Sequence, residues 1–156
     1  MTLLGHGEPR GLPGAVTRAV RFQQSAHGRP LDDVTIDAIN ADGSNAFLDM
    51  QAKRTINFTR SDENFADIVQ RLWATAQKPQ FAVARYEVAV AVARTSTRIE
   101  RDCQQVLQWA RQLESGGSFA AHMQLPGFAS NGMREFVEAF RHHLAAAGAP
   151  SDDETV

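Results

Sequence analysis

Apolar and polar positions alternate at the start of the segment 34–38, where Val34, Ile36 and Ala38 stand against Thr35 and Asp37. That is the period of a strand with one face toward a core. Asp42-Gly43-Ser44 reads as a turn, and beyond it Leu48, Met50 and Ala52 interleave with Phe47, Asp49, Gln51 and Lys53. The spacing predicts a β-hairpin over 32–53, with Gln51 and Lys53 on one face. Upstream, Pro13 is placed to open a helix, and Ala15, Val16, Ala19, Val20 and Phe22 carry it toward Gly28 as its stop. Downstream, Ser61 is the expected N-cap of a helix with Asp62 and Glu63 at its positive end, and Phe65, Ile68, Val69, Leu72, Trp73 and Ala76 form its apolar face. Pro79 closes that helix. Valines and alanines alternate over 85–93, which predicts a central strand covered on both sides. A third helix runs from caps at Thr95, Ser96 and Thr97 through Ile99, Cys103, Val106, Leu107, Ala110 and Leu113 to Gly116-Gly117. A short helical piece spans Phe119 to Met123. Ser130 or Asn131 caps a last helix with Met133, Phe136, Val137, Phe140 and Leu144, stopped by Gly148 and Pro150.

Helix, hairpin, helix, strand and further helices imply an α/β layer architecture: a small mixed sheet of three or four strands with helices on both faces. The expected organisation is a loose amino end over 1–12, one domain over 13–148, and an acidic tail or linker over 149–156.

Composition narrows the classes. The 156 residues suit one domain, and 43% apolar with 22% charged residues is the balance of a soluble globular protein. No apolar run has the length of a membrane span and the amino end lacks a signal-peptide core, so a cytoplasmic protein without membrane contact is expected. The lone Cys103 excludes an internal disulfide and a thiolate-rich zinc site. A net charge of −2 argues against nucleic-acid binding through overall electrostatics and leaves a local basic patch among the arginines of the first sixty residues.

The hairpin holds the candidate chemistry. If its register centres on a single residue near Asp42 or Gly43, Asp33 faces Gln51 or Lys53 and a carboxylate, an amide and an ammonium meet at the open end. Carboxylate and amide oxygens are hard ligands suited to Mg²⁺ or Mn²⁺, and a lysine there holds a water or a developing phosphate charge. The plainer readings are that Asp32 and Asp33 are exposed strand-start acids, and that Gln51 and Lys53 form the solvated face of an edge strand. Asp37 and Asp49 read as solvated, or as a pair facing one another around a metal. His27 and the His142-His143 pair read as helix-end polar groups, and Cys103 as a small core residue. Gly5, Gly7 and Gly11 follow no strand, and their spacing does not match the dinucleotide fingerprint.

The order helix, Asp33, hairpin, Gln51-Ala52-Lys53 resembles the PD-(D/E)xK nuclease superfamily in the variant where Gln replaces the second acid, as in Mrr-like restriction endonucleases. Asp33-Val-Thr-Ile and Met50-Gln51-Ala52-Lys53-Arg54 are similar to the nuclease domains at the amino ends of bacterial anti-phage defence proteins. The resemblance covers residues 13 to 93. It implies a restriction-endonuclease-like core with extra C-terminal helices and Mg²⁺- or Mn²⁺-dependent hydrolysis of double-stranded DNA. It also implies a homo-oligomer or a place in a larger defence complex. Carried over by position, Asp33 is the metal-binding acid, Gln51 a second ligand, and Lys53 the water-positioning base or transition-state cation. Many members carry a further ligating glutamate on the first helix, where this chain offers Gln23 and Gln24, with Glu8 in the amino end. Two other functions stay open: a nuclease-like module that has lost catalysis and serves interaction or oligomerisation, and an unrelated α/β scaffold.

Overall fold

A computed structural model describes residues 8–113 and 115–150. The expected loose start over 1–7 and the tail over 151–156 lie outside the described residues. The protein is mixed α/β, and the described residues form a four-stranded mixed sheet and five α-helices. The strands are β1 (Val16–Arg21), β2 (Val34–Ile39), β3 (Asn45–Thr55) and β4 (Arg85–Arg94), and the helices are α1 (Glu63–Ala76), α2 (Pro79–Val83), α3 (Thr97–Gln112), α4 (Gly116–Gln124) and α5 (Asn131–Ala146). Two compact units divide the chain. One takes the chain up to Lys53 together with Arg71–Val92, the other Arg54–Gln70 together with the chain from Ala93 on. None of the described helices is long and apolar enough to cross a membrane.

In the first unit the sheet order is β1-β2-β3-β4, with β1 and β3 both antiparallel to β2. The hairpin register pairs Val34 with Met50 and Ile39 with Asn45, so it centres on one residue, Asp42. The turn closes through Asn40 N–H to the Ser44 carbonyl at 2.9 Å and Gly43 N–H to the Asn40 carbonyl at 3.0 Å. Gly43 sits at φ +82°, a left-handed conformation that glycine adopts without a Cβ clash. Hydrogen bonds from the Ser44 hydroxyl and amide hold the Asp42 carboxyl below its ordinary range. Ala38, Ala46 and Leu48 point to one side and pack with Leu12 and Ala15, all nearly inaccessible, with Ile36 and Ala89 against them. Leu12 thus belongs to this core, although the sequence placed it in the loose start.

Two expectations are corrected in this unit. The helix expected between Pro13 and Gly28 is instead β1 followed by a single 3-10 turn over Ser25–His27. Val16, Thr17 and Val20 are β-branched, and a short apolar run fits either period; pairing along β2 supplies the ladder hydrogen bonds that decide between them. Gly28 does act as a stop, at φ +76°, but of that single turn. The strand expected to be central and doubly covered is β4, which ends the sheet order and is only half-buried from Arg85 to Val90. Its alanines leave little apolar area to cover.

In the second unit Asp62 caps α1: its carboxylate accepts from the backbone N–H of Asn64 at 2.9 Å and Phe65 at 3.3 Å, one position beyond the expected Ser61. Ser96 caps α3 by accepting from Ile99 N–H at 3.2 Å, and Ser130 caps α5 by accepting from Met133 N–H at 3.1 Å. Gly116 does not end α3. It opens α4, which Ser115 caps. Phe65 sits among Phe58, Phe136, Phe140 and His143, with ring centroids 5.1 to 6.2 Å from its own. His143 is therefore no exposed helix-end group. It is buried, and its Nε2 donates to the Thr59 carbonyl at 3.0 Å.

Cys103 lies on the buried face of α3, as its spacing implies. Burial, with Asp102 adding to it, pushes its thiol up to about 12. Because the thiolate is the reactive form, a thiol reagent such as Ellman's at pH 8 is expected to label the native protein at least ~100-fold more slowly than the unfolded chain. Equal rates would show an accessible, ordinary thiol.

Candidate functional site

The hairpin register places Asp33, just before β2, opposite Gln51 of β3. The side chains meet there: Gln51 Nε2 donates to Asp33 Oδ2, and the same oxygen accepts the Ala52 backbone N–H at 2.7 Å. Gln51 is only 6% exposed, which a solvated edge position would not be, and β3 is an inner strand. Lys53 follows two residues on, on the same face by strand alternation, and is half-buried. The structure thus brings Asp33 and Gln51 into contact and aligns Lys53 beside them.

Asp32, adjacent in sequence, has a different task. It is buried, its Oδ1 accepts from Arg71 Nη1 at 3.3 Å and its Oδ2 from Ser25 N–H at 3.3 Å, while Arg71 also donates to the Pro30 carbonyl at 2.8 Å. It ties the segment before β2 to α1. Gln23 and Gln24, expected on a first helix, lie in the turn after β1. Gln23 is exposed, and the Gln24 amide donates to the Phe22 carbonyl at 2.8 Å. Glu8 is exposed and lies outside any regular element.

Asp37 and Asp49 neither face each other nor lie in solvent. The register pairs Asp37 with Phe47 and Asp49 with Thr35, which makes the two acids diagonal neighbours. Arg29 joins them: Nη2 donates to Asp37 Oδ1 at 2.7 Å and Nη1 to Asp49 Oδ1 at 2.7 Å. Arg21 also bonds Asp37. Asp49 is fully buried, and its Oδ2 accepts from the Tyr86 hydroxyl at 2.5 Å with Lys78 Nζ 3.7 Å away. Burial lowers the affinity of Arg29 for its proton, but the charge of Asp49, with Tyr86 and Asp37, outweighs this and raises it. Burial pushes the Tyr86 hydroxyl up, reinforced by its bond to Asp49. Lys78 is shifted down, chiefly by burial and further by Arg29, with Asp49 opposing. Sequence reasoning missed Arg29, Lys78 and Tyr86, which come from three separate segments. The only local signal is the pair of acids, one on each strand of a hairpin that the pattern already makes half-buried.

The donor set fits a hard divalent ion in kind. Asp33 offers a carboxylate, and Gln51 Oε1 is buried without a hydrogen-bond partner in the protein, an acceptor that a cation would satisfy. Mg²⁺ is commonly held by one or two carboxylates with waters and substrate phosphates completing its shell. Among the described residues no group of three or more His, Cys, Asp or Glu side chains is placed to hold a metal. A cleft of about 530 Å³ in the second unit, lined by Arg60, Ser96, Asp102, Cys103 and Glu138 among others, includes none of Asp33, Gln51 and Lys53. Comparison with protein-family models, with curated proteins and with solved structures found no match.

Proposed function

We propose that this chain is a divalent-metal-dependent DNA endonuclease domain, the effector part of a larger bacterial anti-phage defence protein acting in the cytoplasm. The observation that carries the reading is the contact of Asp33 with Gln51 at the open end of the hairpin, with Gln51 Oε1 left as a buried acceptor. Asp33 and Gln51 would hold Mg²⁺ or Mn²⁺, which when bound supplies charge neutralisation at the scissile phosphate and lowers the pKa of a water. The Ala52 N–H fixes the Asp33 carboxylate, so little reorganisation is needed when substrate arrives. Lys53 places a cation beside them for the phosphate or the attacking water. Double-stranded DNA is the substrate, and assembly is as a homo-oligomer or within a defence complex.

One observation favours a second reading, a nuclease-like module that has lost catalysis and serves interaction. The site has one carboxylate against Gln51, and the segment expected to supply a helical ligand is a strand. Incubating the purified full chain with double-stranded DNA and Mg²⁺ or Mn²⁺ separates the two. Cleavage is expected, stopped by EDTA and slowed at least ~100-fold by Asp33→Ala or Lys53→Ala with the melting temperature retained. Cleavage that persists in EDTA or in both variants defeats the nuclease reading, and a folded wild type that cuts with neither metal favours the inactive module.

A further inference from the structure

Four buried side-chain polar atoms among the described residues have no hydrogen-bond partner in the protein, and three of them, Thr35 Oγ1, Gln51 Oε1 and Lys78 Nζ, belong to residues that neighbour Asp49. Thr35 is the register partner of Asp49, and Gln51 is the next residue of β3 on the same face. Lys78, between α1 and α2, brings Nζ to 3.7 Å from Asp49 Oδ2, an attractive distance but too long for a hydrogen bond. That Asp49 oxygen already accepts from Tyr86, and its companion from Arg29. Lys78 is therefore a second cation on a carboxylate that has its donors. A buried ammonium without a bonded partner is costly, as is a buried amide oxygen without one.

The two needs are complementary. Nζ is a donor, Oε1 an acceptor, and a threonine hydroxyl can be either. A phosphate oxygen would accept from the lysine but offer nothing to Gln51 Oε1, whereas a single water can accept from Nζ while donating to Oε1 and to the threonine oxygen. An amide oxygen has two lone pairs, so a water on one leaves the other for the ion. We propose that Thr35, Gln51 and Lys78 together bind a single water, which makes Lys78 a second functional lysine of the hairpin site. If the nuclease reading holds, on which this last step rests, that water is the nucleophile. Its oxygen forms the new bond to phosphorus as the bond from phosphorus to the sugar oxygen breaks. The water releases a proton to solvent, and the leaving sugar oxygen takes one up.

Two measurements on the full chain test this. In a crystal structure, an ordered water is expected within hydrogen-bond reach of Lys78 Nζ, Gln51 Oε1 and Thr35 Oγ1; an Nζ bonded only to protein groups overturns the proposal. In DNA cleavage, Lys78→Met is expected to lower kcat ~100-fold with KM unchanged. Its melting temperature is expected to hold or rise, since an apolar chain of similar length replaces a buried charge and Asp49 keeps Arg29 and Tyr86 as its bonded partners. Wild-type turnover by Lys78→Met overturns the catalytic role. The water present with no cleavage by the wild type supports the water site and removes the nuclease reading, so the two fail separately.

Discussion

Asp49→Ala is expected to destabilise the protein by about 3–5 kcal/mol, the range seen when one partner of a buried ion pair is removed. Asp49 is fully buried on the polar face of β3 and neutralises Arg29 while Lys78 lies beside it. Alanine leaves both cations with 20% and 17% of their side chains exposed, too little water to replace the lost carboxylate. It also orphans the Tyr86 hydroxyl. Asp49→Asn keeps an acceptor for Arg29 and Tyr86 and removes only the charge, so its loss should be smaller. Urea unfolding followed by circular dichroism gives both values, and an Asp49→Ala midpoint equal to that of the wild type would show that the network contributes nothing to stability. Because Asp49 lies between Phe47 and Gln51 on the site face, the variant is also expected to disturb the contact between Asp33 and Gln51.

Phe65→Ala is expected to cost about 3–5 kcal/mol through the cavity it opens in the second unit. Phe65 is 2% exposed and touches Phe58 and His143 edge-on, with Phe136 stacked at a 22° angle. Such aromatic pairs add ~0.5–1.5 kcal/mol beyond area burial. The surrounding rings come from α5 and the segment before α1, and their rigid planes cannot fold inward to fill the space. Phe65→Leu, which retains most of the volume, should lose less. Equal stability of Phe65→Ala and the wild type in the same urea titration would mean that this cluster is not what holds α1 against α5.

The elements with a long period were legible in the residues. The helices now labelled α1, α3 and α5 lie where Phe65 to Ala76, Ile99 to Leu113 and Met133 to Leu144 placed them, since fourteen or sixteen residues give a 3.6-residue period several turns to declare itself. β1 was misread because six residues with Val16, Thr17 and Val20 satisfy both periods, and the pairing that chooses between them is with β2 residues 14 to 23 positions further along the chain. His143 was misread for a related reason. Its place near the end of α5 fits a dipole argument, but the Thr59 carbonyl and the Phe65 ring that bury it belong to other segments.

The hairpin shows the division most clearly. By itself the sequence determined that residues 34–38 and 47–53 are strands, that the turn lies at Asp42-Gly43-Ser44, and that Gln51 and Lys53 share a face, because side chains alternate with period two whatever surrounds them. That Asp33 joins that face depended on a register that the pairing of Val34 with Met50 fixed. The sequence could not say whether that polar face meets water. Only the tertiary structure decided this, by bringing Arg29, Lys78 and Tyr86 over it from distant segments. With those partners Asp49 is stable with no exposure at all, while without them a carboxylate is held in solvent by the cost of removing its hydration.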